Sequence, residues 1–93
     1  MAYVYLIDNK KNWKGYVGCT NSSLAKRFGQ HKHLLRRGLH TNHELQRDWD
    51  RYGEAAFSII PLEVCSPEIM YERERHHIAR LGTSDPELGY NQK

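Results

Sequence analysis

Arg27 and His31 stand four residues apart in the stretch LAKRFGQHKHLLR, whose apolar residues Leu24, Phe28 and Leu35 recur at helical spacing. The spacing puts His31 within the apolar stripe and Arg27 about 40° to its side. A later stretch has the same irregularity. Met70, Glu74, His77 and Leu81 share one narrow helical face, with Ile78 beside them, so a carboxylate lies midway along the side that should face the protein. A buried carboxylate is costly unless something compensates it. Each residue has an ordinary structural reading: a hydrogen-bonded core histidine, a snorkelling arginine, a glutamate paired with one of 14 basic side chains. Joined by Tyr5 and Tyr16, they also make a kit for phosphodiester cleavage. A guanidinium holds a phosphate, a carboxylate holds a divalent cation, and an imidazole or phenol handles a proton.

The elements that must position these groups read in order along the chain. YVYLI, residues 3–7, is apolar on both faces and predicts a buried central strand. A polar turn, DNKKNWKG, leads to a second strand over residues 16–19, so the pair is expected as a hairpin. Tyr3, Tyr5 and Ile7 then share one face. TNSS starts a helix over residues 23–36, which Gly38 ends. Thr41 to Glu44 reads as a capping box for a second helix lined by Leu45, Trp49 and Tyr52 and stopped by Gly53. Residues 55–64 predict a third strand, in which Pro61 demands an edge position or a bulge. Ser66 and Pro67 open a third helix that runs to residue 81 and stops at Gly82. An irregular tail follows, and Trp13 is expected in core or hairpin packing.

Composition narrows the classes. A chain of 93 residues suits one domain with a single modest core, and 39% hydrophobic residues argue against disorder. Lys and Arg exceed Asp and Glu by 14 to 11, a net charge of +3 that permits a polyanionic partner. Cys19 and Cys65 lack zinc-ligand spacing and read as packed thiols of a reducing, cytoplasmic compartment. No apolar run is long enough to span a membrane, and the charges that follow the first apolar run are in the reverse order for a signal peptide.

The motifs in sequence resemble those of the GIY-YIG nuclease superfamily. Tyr16-Val17-Gly18 stands for the second signature element. Tyr3-Val4-Tyr5 stands for the first, about ten residues upstream. Arg27, His31, the Glu74 of ERE and the terminal Gly89-Tyr90-Asn91 fall where that family has its remaining motifs. The segment GLHTNHELQRDWDRYGEAAF is similar to one found in the catalytic domains of phage intron-encoded homing endonucleases. Tyr3 departs from the family's first glycine and adds a bulky ring on the face of Tyr5.

The resemblance implies an α+β fold, a small three-stranded antiparallel sheet flanked by about three helices, with the site on one sheet face. It implies a DNA endonuclease that uses Mg²⁺ or Mn²⁺ and acts on double-stranded DNA. Carried over residue by residue, Tyr5 and Tyr16 are the signature tyrosines, and Arg27 contacts the scissile phosphate. Glu74 binds the metal, His31 assists near the nucleophile, and Asn91 supports the site. His40 matches a further histidine. Tyr5, or His31 acting through it, is the expected general base. Lys26, Lys32, Arg36 and Arg37 form a basic run that reads as solvated surface or as a guide for the DNA backbone. With no appended DNA-binding domain in the sequence, weak sequence preference is expected, and without DNA a monomer. The competing reading is a DNA-binding module that keeps the fold and has lost turnover.

Overall fold

The structure is a computed structural model and describes residues 1–91. Strands β1 (Ala2–Asn9), β2 (Gly15–Thr20) and β3 (Phe57–Cys65) form one antiparallel sheet in the order β2-β1-β3. Helices α1 (Leu24–Arg36), α2 (His43–Tyr52) and α3 (Met70–Leu81) complete it. β1 is central because both of its faces are apolar. Tyr5 and Ile7 face α1 and α2 in a core with Leu35, Leu45, Trp49 and Tyr90. Val4, with Val17 of β2, faces the other way, against Met70, Ile78 and Leu81 of α3. Burying side chains of this size stabilises by roughly 1.5–3 kcal/mol each.

Pro61 takes both outlets that its missing amide hydrogen allows. β3 is an edge strand, and its register against β1 slips between Val4 and Tyr5, which pair with Glu63 and Pro61 and leave Leu62 as the extra residue. α1 starts at the expected cap, where Ser23 Oγ accepts the Lys26 amide.

Four local expectations change. Asn42, not Thr41, caps α2: its Oδ1 accepts the Leu45 amide at 3.0 Å, and Glu44 turns to Arg47 instead of closing a capping box. The third strand begins at Phe57, because Ala55 lies in a 3₁₀ turn, Glu54–Ala56. Ser66 makes no side-chain cap; Pro67–Ile69 is a 3₁₀ turn, and α3 begins at Met70. Trp13 packs into neither core. It is 76% exposed in the β1–β2 turn, at a left-handed φ of 63° that L side chains rarely adopt.

The tail is irregular but tied down. Gly82 ends α3 at a φ of 69°, and Gly89 bridges Gly15 in parallel, so the chain returns beside β2. Tyr90 is buried, donates its hydroxyl to Asp48 Oδ2 at 2.6 Å and accepts from Asn9 Nδ2 at 3.0 Å. Asn91 follows at the open edge of β2.

Candidate active site

Two pieces of local structure deliver the polar groups to one place. On one sheet face, α1 carries Arg27 and His31 over β1 and β2. Tyr5 pairs with Gly18 across the strands, and Ile7 with Tyr16, so both signature tyrosines point to the side of α1. On the opposite face, α3 carries Glu74 up to Cys19 at the edge of β2. The expectation of a site on one sheet face is therefore corrected: the groups come from both faces and meet at the β2 edge. Edge placement makes this possible, since no further strand separates the two faces there.

Gly18 explains its own place in the signature. A Cβ on Gly18 would lie 2.5 Å from Cζ and 2.9 Å from Cε1 of Tyr5, and closer still to its hydroxyl. The absent side chain is the room in which the Tyr5 ring lies. The Tyr5 oxygen then meets His31 Nε2 at 2.8 Å and accepts from Arg27 Nε at 3.3 Å. His31 Nδ1 meets His40 Nε2 at 2.8 Å, and Arg27 Nη1 donates to Gln30 Oε1 at 3.0 Å. Both histidines are buried, and Tyr16 packs edge-on against the His31 ring. Tyr5, Arg27, His31 and His40 are thus one connected cluster, with Tyr16 against it.

Burial governs the ionisation of this cluster. It pushes the Tyr5 phenol up to about 12, with Arg27 opposing by hydrogen bond and charge. It pushes His31 down to about 3, helped by the charge of Arg27. His40 is lowered for the same reasons, and Tyr16 is raised by burial and then by the charge of Glu74. Arg27 and Glu74 both act electrostatically on Tyr16 and on Cys19, whose thiol is pushed up to about 12, chiefly by burial. Glu74 itself is raised by burial, offset in part by Cys19 and Arg75.

Two cavities flank Tyr16 and Asn91. One, of about 540 Å³, is lined by Tyr16, Glu74, Arg75, Ser84 and Asn91 among others. The other, of about 360 Å³, is lined by Tyr16, Thr41, Asn42, His43 and Asn91. Tyr5 lines neither; its oxygen lies behind them, against Arg27 and His31. Asn91 is a supporting residue in a literal sense. Its side-chain amide pairs with the backbone of Val17 in both directions, accepting from N–H at 2.7 Å and donating to C=O at 2.8 Å. It extends the sheet by one rung beside Tyr16.

The donor set fits a hard divalent cation. Glu74 is half-buried in the larger cavity and, among the described residues, pairs with no basic side chain. No group of three or more His, Cys, Asp or Glu side chains is assembled among the described residues, so a cation here would keep mostly water. That is the habit of Mg²⁺ and poor ground for Zn²⁺.

The basic run along α1 divides in two. Lys26 lies about 100° round α1 from Arg27 and Arg37 caps the helix, whereas Lys32 and Arg36 lie about 140° and 180° round. There Lys32 lies over the Phe28 ring at 4.8 Å, and Arg36 makes a bidentate pair with Glu54. Sequence reasoning missed Asn42, Gly18 in its spatial role, and the Tyr90–Asp48 anchor. The asparagine was visible only as part of the helix start. A glycine opposite a tyrosine is legible only once the strand register is known.

The GIY-YIG catalytic domain family matches the chain over residues 1–88. Among solved structures, the catalytic domain of the homing endonuclease I-TevI superposes with a TM-score of 0.86 at 26% identity, covering 99% of this chain and all of that one. A glutamate-to-alanine mutant of the I-TevI catalytic domain superposes with a TM-score of 0.87 at 31% identity, covering 98% of this chain and 93% of that one. Among curated proteins nothing matches. Its two signature tyrosines, its arginine–histidine helix and its glutamate thus stand on a fold shared with a nuclease domain along nearly its whole length, and the chain belongs to the GIY-YIG catalytic domain family.

Proposed function

We propose that this chain is a DNA endonuclease that hydrolyses phosphodiester bonds with a divalent cation, Mg²⁺ or Mn²⁺. The observation that carries the reading is the meeting of opposite charges from opposite sheet faces. Arg27 and Glu74 both act on Tyr16, which shares the lining of an open cavity with Glu74.

Arg27 is the residue for the scissile phosphate. Its Nε is held by Tyr5 and one Nη by Gln30, which fixes the guanidinium plane and leaves other N–H groups free to donate. It stays charged as negative charge builds on the phosphorane-like transition state. Glu74 would hold the cation, which would supply stabilisation of the leaving oxygen there. Tyr5 is the phenol set beside Arg27 for proton handling, and Tyr16 faces the cavity that Glu74 lines. A phenol at about 12 is a poor base at neutral pH, so Tyr5 needs further positive charge nearby to act as one. Lys26 and Arg37, which make no ion pair or ring contact among the described residues, are the freer of the four basic residues to follow the backbone of double-stranded DNA.

The test is supercoiled plasmid incubated with the protein in Mg²⁺ or in excess chelator. Nicked or linear product in Mg²⁺ alone supports the reading. Binding of duplex DNA with no cleavage in Mg²⁺ or Mn²⁺ contradicts it and identifies a binding module of the same fold.

A further inference from the structure

Five polar groups run in line from the start of α2 to the guanidinium of Arg27. The Asn42 backbone amide meets His40 Nδ1 at 3.0 Å, and His40 Nε2 meets His31 Nδ1 at 2.8 Å. His31 Nε2 meets the Tyr5 oxygen at 2.8 Å, and Arg27 Nε reaches the same oxygen at 3.3 Å. The two imidazole planes lie 20° apart, with their centroids 5.1 Å apart.

A backbone amide can only donate. His40 Nδ1 is therefore an acceptor, and the proton of a neutral His40 is on Nε2. That proton goes to His31 Nδ1, which leaves the His31 proton on Nε2, donated to Tyr5. The opposite direction would set His40 Nδ1–H against the Asn42 N–H, two donors 3.0 Å apart in a buried place. An imidazolium at His31 meets the same obstacle, because its Nδ1–H would force the His40 proton onto Nδ1.

We propose that Asn42 and His40 are positioning residues that lock His31 as the Nε2–H tautomer, so that His31 donates to Tyr5 and does not receive its proton. The Tyr5 oxygen thus takes two donated hydrogen bonds, and its own hydrogen points away from both. When the phenol ionises, the two donors are already in place and no ring has to change tautomer. His31 is a holder of Tyr5 and not a base acting through it, which revises the role expected from sequence.

Asn42 is fixed well enough for this task. Its Oδ1 caps α2 and its Nδ2 donates to the Tyr90 carbonyl at 2.7 Å. The His40 backbone amide donates to Gln46 Oε1 at 3.1 Å, and Gln46 is anchored by the Leu35 carbonyl at 3.0 Å. One residue thereby registers the histidine chain against the tail that carries Asn91.

The catalytic consequence rests on the nuclease reading, but the tautomers are measured on the free protein without DNA. The experiment is ring-nitrogen NMR of ¹⁵N-histidine-labelled protein at pH 7, with His31 and His40 assigned by substitution. Both are expected as neutral Nε2–H rings. His31 protonated on Nδ1, or on both nitrogens, overturns the proposal. Two variants add a kinetic readout if cleavage is established. His40→Gln keeps a donor toward His31 Nδ1 and should hold the His31 tautomer and most of kcat. His40→Phe keeps the ring but offers no donor. It should release the tautomer and lower kcat about tenfold or more with little change in KM. A folded Phe variant with wild-type kcat and an unchanged His31 tautomer, or a Gln variant as impaired as the Phe one, also overturns it. Should either variant misfold, the wild-type spectrum still decides. A protein that fails to cleave DNA yet has both Nε2–H rings loses the nuclease reading and keeps this one.

Discussion

At the residue scale, burial sets the ionisation of the site's groups. His31, at 3% exposure, is pushed down to about 3 from an ordinary 6.5, and His40 is lowered beside it. His31 is neutral when folded at pH 5, while the unfolded chain binds a proton there. Stability is therefore full above about pH 6.5 and is lost as pH falls below it, by up to about 1.4 kcal/mol per pH unit for His31. The urea midpoint should accordingly be lower at pH 5 than at pH 7, and a flat profile would contradict a buried neutral His31. Glu74 has the opposite bearing on the fold. Burial raises its carboxyl, so the ionised form weakens the folded state, and Glu74→Gln should leave the thermal midpoint unchanged or raise it. The histidine and the glutamate were legible in sequence because a polar residue interrupts an apolar helical period. Their protonation states were not, since these depend on partners distant in sequence, such as Tyr5 for His31.

At the element scale, β2 is where the site is made, and two of its features are testable. Gly18→Ala drives a methyl into the Tyr5 ring. The cost should be about 1–3 kcal/mol, and the displaced phenol should lose its contact with Arg27 and with it most cleavage. Unaltered stability and cleavage would contradict the packing described. Asn91→Ala removes both bonds to the Val17 backbone and leaves a buried strand edge unpaired, at about 1–3 kcal/mol in a denaturant titration. The three strands and three helices were legible because period, caps and breakers agree along the chain. The errors came where a neighbour outside the local window decides. Asn42 displaced Thr41 as the cap because its amide also reaches Tyr90, and Trp13 was assigned to packing although it stays 76% exposed in its turn. The crossing of the site from one sheet face to the other follows from α3 packing opposite α1, which no local pattern contains.

At the scale of the whole molecule, the chain's last described residues close the structure onto its first hairpin. Tyr90, Asp48 and Asn9, all buried, form with the half-buried Asn12 a network that joins the tail, α2 and the β1–β2 turn. Tyr90→Phe would leave the Asn9 amide without its acceptor and Asp48 without its shortest donor. It should cost about 1–3 kcal/mol and, by loosening Asn91, lower cleavage as well. The same closure lays the tail along the β2 edge beside Tyr16, and there the positive side chain of α1 and the negative one of α3 act on that tyrosine. The central claim is that these two charges together constitute one phosphodiester-cleaving site. The most direct measurement is the single-turnover cleavage rate on plasmid DNA in Mg²⁺ for the wild type, Glu74→Gln and Arg27→Ala, each checked for an intact thermal transition. The account predicts cleavage by the wild type, abolished by either substitution in a folded protein. Cleavage that survives both would contradict it.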